Sequence, residues 1–107
     1  MWMAASAHTV WFEQIADRTS MSIWRIDGTK VRLLSRPKQV GFQGAYGAGR
    51  LWELTCGEKE HLLRVDPDTG ALTPFGQFAK TTYCDASMTV AGGNVFVLEG
   101  NTLYVYR

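Results

Sequence analysis

Hydrophobic and polar residues alternate over short runs along this chain, and the runs recur in a fixed order. A first run occurs three times, as TVWFEQ (9–14), RLWELT (50–55) and NVFVLE (94–99). A second run follows each time, as SIWRID (22–27), HLLRVD (61–66) and TLYVYR (102–107). Such runs, rich in β-branched and aromatic residues, are typical of strands. The pattern predicts an all-β protein with an internal repeat of about forty residues.

The three repeats align residue by residue. In the first run the aligned apolar residues are Val10, Leu51 and Val95, and each is followed by an aromatic residue. In the second run they are Ile23, Leu62 and Leu103. A further run, KVRLLS (30–35) and ALTPFG (71–76), closes the first two repeats and has no counterpart after Arg107. The last repeat is therefore predicted to lack its outer strand.

Small residues dominate the stretch just ahead of each first run, at 3–8, 44–49 and 88–93. Ala7, Ala48 and Gly92 share one slot in the alignment. Because small side chains suit a crowded position, we expect these stretches to form the innermost strand of each repeat.

One segment also fits a helix. In TVWFEQIADR (9–18), Trp11 and Ile15 would share one helical face, so the segment taken alone reads as an amphipathic helix. Its alignment with two clearer strands favours a strand.

The segment RVDPDTGALTPFG (64–76) places two aspartates among two prolines and two glycines. Asp66 and Asp68 could serve as an acid/base pair or a metal clamp. The same residues form a tight turn if Pro67 presets the backbone, an aspartate accepts backbone N–H groups and Gly70 takes a positive φ. The position of the segment between two strand runs favours the turn.

Four antiparallel strands per forty-odd residues, with small residues innermost, resemble a β-propeller blade. The stretches RLWELTCGEKEHLLRVDPDTGALTPFG and GGNVFVLEGNTLYVYR are similar to blades of the quinoprotein-dehydrogenase-like, YVTN, NHL and regucalcin-like families. The resemblance implies one domain over 1–107, a partial β-propeller with three blades at roughly 2–36, 40–78 and 82–107. Closed propellers typically have four to eight blades. We therefore expect copies of the chain, or the rest of a longer protein, to complete the ring. An open antiparallel sandwich is the alternative fold.

The composition limits the classes of partner that we expect the chain to bind. Lys and Arg number 11 and Asp and Glu 10, a net charge of +1 that gives no basic stripe for nucleic acid. No apolar run reaches the eighteen or so residues that span a bilayer, so we expect a soluble protein without membrane contact.

Propeller topology places the links that precede each blade, and those between second and third strands, on one face. Cys56 and Cys84 belong to such links, so a disulfide between neighbouring blades is sterically conceivable, and two reduced thiols are the alternative. A bridge would indicate an extracytoplasmic location, and free thiols a cytoplasmic one. The same face carries the candidate ligand-binding residues, which are Phe42, His61, Tyr83 and Asp85.

No catalytic motif is present. The chain has no GxSxG elbow, and the glycine-rich GFQGAYGAG (41–49) lacks the Lys-Ser/Thr of a phosphate-binding loop. We expect no metal site and no cofactor. The sequence thus favours a non-enzymatic binding or scaffold module. The alternative is the carboxy-terminal half of a propeller enzyme, lactonase-like or quinoprotein-like, whose active site lies outside this chain.

Overall fold

The computed structural model describes residues 1–17, 20–38, 41–55, 61–77 and 86–107, without the side chains of residues 42, 61, 76 and 77. These residues form three antiparallel sheets and no helix. The first sheet contains β1 (Met3–Ala5), β2 (Thr9–Asp17), β3 (Ser20–Asp27) and β4 (Lys30–Ser35). The second contains β5 (Gly41–Gly47), β6 (Arg50–Thr55), β7 (His61–Val65) and β8 (Leu72–Gln77). The third contains β9 (Ser87–Ala91), β10 (Asn94–Glu99) and β11 (Thr102–Tyr106). The all-β prediction is confirmed.

Each sheet is a simple meander, because strands that follow one another in the chain are neighbours in the sheet. The segment that taken alone reads as an amphipathic helix forms strand β2, which pairs with β3 from Thr9 to Asp17 with a register shift after Ile15. Pairing on this scale removes the helical alternative, because the backbone groups of β2 bond to a neighbouring strand. Among the described residues there is accordingly no helix of a length and apolarity that would cross a bilayer.

Cross-strand pairing supports the alignment of the repeats. Trp11 lies opposite Arg25 in the first sheet, and Trp52 lies opposite Arg64 in the second. Phe96 lies opposite Val105 in the third. Aligned residues therefore occupy equivalent places in the three sheets, and they face the same way because side-chain direction alternates with a period of two.

The aligned small residues are not in the inner strands. Ala48 and Gly92 have φ values of 52° and 57° and lie in the turns that join the first and second strands of their sheets, and Ala7 also follows its strand. For Ala48 and Gly92 the shared slot reflects the left-handed turn conformation, which small residues tolerate best. The crowded positions are instead glycines within β5.

Strand β5 lies against both β1 and β9, so the inner strands of the three sheets are neighbours. A side chain at Gly44 would overlap the indole of Trp2, and one at Gly47 would overlap Val90. Glycine at these two positions allows the close approach of sheet to sheet. Trp2 is thereby buried, although it precedes the first strand.

The hydrophobic core consists of two layers, one on each side of the second sheet. Between the first and second sheets lie Trp2, Ala4, Trp11, Ile23, Leu51 and Val65. Between the second and third lie Trp52, Leu54, Leu62, Ala86, Val95 and Val97. Strand β6 contributes to both layers, which explains why RLWELT is apolar on both faces.

The DPDTG segment forms the predicted turn. The Asp66 carboxylate accepts the backbone N–H groups of Asp68 and Thr69 at 2.8 and 3.0 Å, and these bonds lower its pKa below the usual value. Gly70 has a φ of 72°. The first sheet holds this turn in place, since Ser35 Oγ donates to the Gly70 carbonyl oxygen at 2.8 Å.

Gly44→Ala is expected to destabilise the protein by about 1–3 kcal/mol, because the added methyl group overlaps the Trp2 ring in a packed layer. The check is urea unfolding followed by tryptophan fluorescence, for Gly44→Ala in the parent chain and in a Trp2→Ala background. The penalty should largely vanish in that background, since the overlapping ring is gone. An equal penalty in both backgrounds would show that Trp2 does not lie on Gly44.

Candidate functional site

Two glutamates are buried between the first and second sheets. Glu13 on β2 and Glu53 on β6 both have no solvent exposure. They lie at the end of the sheets where β1 and β5 begin, next to Trp2 and Gly41. Buried carboxyl groups are rare unless they are paired or hydrogen-bonded, so this pair is the most unusual chemical feature of the described structure.

Each glutamate has its own donors. The backbone N–H of Gly41 donates to both oxygens of Glu13, at 3.0 and 3.1 Å. The amino group of Met1 lies 3.6 Å from Glu13 Oε1. Trp2 Nε1 donates to Glu53 Oε1 at 2.6 Å, whereas Glu53 Oε2 is buried with no donor among the described residues.

Burial, together with the neighbouring Glu13 carboxyl, raises the pKa of Glu53 to about 8, although the hydrogen bond from the Trp2 indole lowers it. Glu53 is therefore protonated at neutral pH. A neutral Glu53 avoids the cost of burying a charged carboxylate that lacks a full set of donors.

The local fold places the pair. Glu13 comes two residues after the buried Trp11 on β2, so alternation turns both side chains toward the second sheet. Glu53 comes two residues after the buried Leu51 and faces the first sheet. A side chain at Gly41 would overlap both Glu53 and Trp2, so glycine is required where the two carboxyl groups meet.

Sequence reasoning missed this pair, although the signal was present. A period of two puts Glu13 on the same face as Trp11, and RLWELT lies in a strand covered on both faces, where every residue after Arg50 is buried. The meeting of the two residues depends on how sheets stack, which strand patterns alone do not give. Within the described ranges, no three His, Cys, Asp or Glu side chains gather in a way that could hold a metal ion.

A second feature consists of two apolar faces, one at each end of the stack, that no other described strand covers. The outer face of the first sheet carries Met3, Val10, Phe12, Trp24, Ile26 and Val31, with the rings of Phe12 and Trp24 stacked at 6.4 Å. The outer face of the third sheet carries Phe96, Leu98, Leu103 and Val105. Val31 and Leu103 are each 58% exposed. Large exposed apolar patches of this kind mark interaction surfaces.

The residues predicted for the ligand face fall outside the described structure. Cys56, Tyr83, Cys84 and Asp85 lie in ranges that are not described, so neither the disulfide nor a shared face is tested. Phe42 belongs to β5 and His61 begins β7, but their side chains are not described. These six assignments stay predictions.

Comparison of the chain with models of known protein families gives no match, and comparison with curated proteins gives none either.

Stability is expected to fall as pH rises from about 5 to 8. Glu53 holds a proton in the folded state up to pH 8 but loses it near 4.5 when unfolded, so the folded state binds more protons over this interval. The contribution is fully present below the unfolded pKa and is lost as pH passes the folded pKa. One such group contributes a slope of at most about 1.4 kcal/mol per pH unit.

Urea unfolding of the parent chain and of Glu53→Gln at pH 5, 6, 7 and 8 measures this contribution. Glutamine keeps the shape and remains neutral, so the variant should show a distinctly flatter profile, with the two curves closest in shape above pH 8. Parallel curves over the whole range would mean that Glu53 is ionised in the folded protein.

Proposed function

We propose that this chain is a three-bladed β-propeller module that serves as a non-enzymatic binding or scaffold unit, and that it completes a ring by associating with a second copy of itself. The supporting observation concerns the two open faces, one on the third sheet and one on the first. They carry residues that align with those that meet at the interfaces inside the chain. The same module within a longer protein would close its ring with the remaining blades.

The path of the chain supports this architecture. Each sheet is a meander, and the chain passes from the outermost strand of one sheet to the innermost strand of the next, as from β4 to β5. The inner strands β1, β5 and β9 are neighbours. Sheets stacked in this way around their inner strands are the arrangement of propeller blades.

The internal interfaces define what each face needs. Trp11 on the first sheet packs in the layer that also contains Leu51 of the second, and Trp52 on the second packs in the layer that contains Val95 of the third. At both internal interfaces, the face of one sheet that carries a tryptophan thus packs against the face of the next sheet that carries an aliphatic residue. The same contact would form a third time between Phe96 of one copy and Val10 of another.

The uncovered faces match this requirement. Phe96 is the counterpart of Trp11 and Trp52, and it lies on the open face of the third sheet. Val10 is the counterpart of Leu51 and Val95, and it lies on the open face of the first sheet. Because the two faces differ, the contact between copies is heterologous, and such contacts form rings when the rotation closes. Two copies provide six blades, within the usual range for closed rings.

The loops at the end where the inner strands begin would then surround one opening of the ring. We expect the proposed ligand face, with Phe42, His61, Tyr83 and Asp85, to lie at this end. The buried Glu13 and Glu53 lie beneath it, where they fix the relative position of the first two blades.

The solution mass of the parent chain is expected to be that of two chains. Val31→Lys and Leu103→Lys should each lower it to one chain, because each puts a charge into one half of the apolar contact. Thr29→Lys, at an exposed turn beside the first face, is the matched control and should leave the mass unchanged. Sedimentation velocity over a dilution series is the measurement.

Mixing the two monomeric variants distinguishes the geometry of the contact. Val31→Lys retains the third-sheet face and Leu103→Lys retains the first-sheet face, so an equimolar mixture should recover a two-chain species. If only one of the two substitutions disrupts the dimer, the contact is between identical faces and the ring proposal is wrong. A parent chain that stays monomeric would contradict closure by self-association.

A further inference from the structure

In the contact between the first two sheets, Arg25 binds the turn between β7 and β8 of the second sheet. We call this arrangement the Arg25 latch. Arg25 donates from Nη1 to the Pro67 carbonyl oxygen at 2.9 Å and to Asp68 Oδ1 at 2.7 Å. Its guanidinium lies over the Trp11 ring at 5.5 Å, and Trp11 Nε1 donates to the same carbonyl at 2.9 Å. An arginine, a tryptophan and an acidic turn thus form one recognition unit.

The second sheet repeats the arginine and the tryptophan of this unit. Arg64 lies opposite Trp52 as Arg25 lies opposite Trp11, and its guanidinium stands over the ring at 5.8 Å. Arg64 is exposed, and no carboxylate of the described residues pairs with it. Asp66 aligns with Asp27 of the first sheet. It does not pair with Arg64, because its Oδ1 accepts the backbone amides of its own turn.

A cavity marks the place where a turn would be seated. It has a volume of about 310 Å³, and its charged lining residues are Arg50, Arg64 and Asp66. Arg50 stands where the first sheet has Thr9, so this cavity is more basic than its filled counterpart. The guanidinium group of arginine donates to carboxylates and carbonyl oxygens, so this cavity offers suitable donors for an acidic turn.

An exposed ring lies beside the cavity. Phe75 lies at the register shift of β8, contacts Trp52 edge-on at 4.8 Å and is 40% exposed. Its counterpart Leu34 lies at the shift in β4, and there the chain at Gly70 approaches so closely that a side chain would touch Leu34. In the second sheet, Phe75 meets the ring of Tyr106 on β11 edge-on at 5.9 Å, so its cover is partial.

We propose that the Arg64 seat, formed by Arg50, Arg64 and Thr73 beside the partly exposed ring of Phe75, binds an acidic β-turn followed by an extended strand, in the manner in which Arg25 binds Pro67 and Asp68. The occupant is a partner segment with an aspartate after a free carbonyl oxygen and an apolar residue in its strand. Strand β11 is an edge among the described strands, so the segment adds to the third sheet as its fourth strand.

This binding mode does not depend on ring closure, because the seat lies on the second sheet and not on either outer face. A peptide can bind there whether or not copies associate, so failure of one proposal leaves the other to be judged by its own measurement.

The probe is a synthetic peptide of residues 66–77, DPDTGALTPFGQ, which carries the turn and strand that the first sheet already grips. Titrated into the full chain, it should shift the NMR signals of the Trp52 indole and of β11 in a saturable way. Arg64→Met should weaken binding about tenfold, since both bonds of the fork are lost. Asn in place of Asp68 of the peptide should weaken it about threefold, as expected for an exposed ion pair.

Arg32→Met is the matched control, since it removes an equal charge from an exposed strand of the first sheet and should leave the affinity unchanged. Shifts at the Trp11 indole instead of Trp52 would mean that the peptide displaces the chain's own turn, and would overturn the assignment. Affinity that is indifferent to Arg64→Met, or no saturable shift at millimolar peptide, would overturn it as well.

Discussion

The whole structure depends on one constraint: a four-stranded sheet of this chain has two apolar faces, and each must be covered by another sheet. Strand β6 shows it most clearly, because Leu51 packs toward the first sheet while Trp52 packs toward the third. Burial of a side chain of this size is worth roughly 1.5–3 kcal/mol, so a sheet covered on one face alone forfeits much of its stabilisation. Among the described residues, the middle sheet is covered on both faces, and each of the two end sheets is covered on one face only.

Polar contacts at the two ends of the first interface fix how the sheets stack. At one end, Glu13 and Glu53 are buried beside the indole of Trp2, which donates to Glu53. At the other, Arg25 holds the turn at Pro67 and Asp68. Apolar layers allow sheets to slide, whereas these directional contacts are satisfied in one position only. The asymmetry between the filled Arg25 latch and the open Arg64 seat is the clearest sign that the second interface has room for another segment.

Much of the fold could be predicted from the sequence because strand signals here are local. Alternation, aromatic residues and turn residues located the strands, and the alignment of Trp11 with Trp52 also gave their facing direction. The slot shared by Ala48 and Gly92 was misassigned to inner strands, since small residues serve both crowding and left-handed turns. The carboxyl pair was missed because Glu13 and Glu53 are forty residues apart and meet only through the stacking of sheets. The predicted loop face, from Phe42 to Asp85, is not tested by the described side chains.

Small-angle X-ray scattering over a concentration series tests the central claim most directly. The account predicts a closed two-copy particle, with a radius of gyration well above the 13.3 Å of one chain and a pair-distance distribution that is bounded and unchanged by further concentration. A particle that keeps the radius of a single chain at all concentrations, or one that grows without limit into fibres, would contradict the claim that the two open faces complete each other.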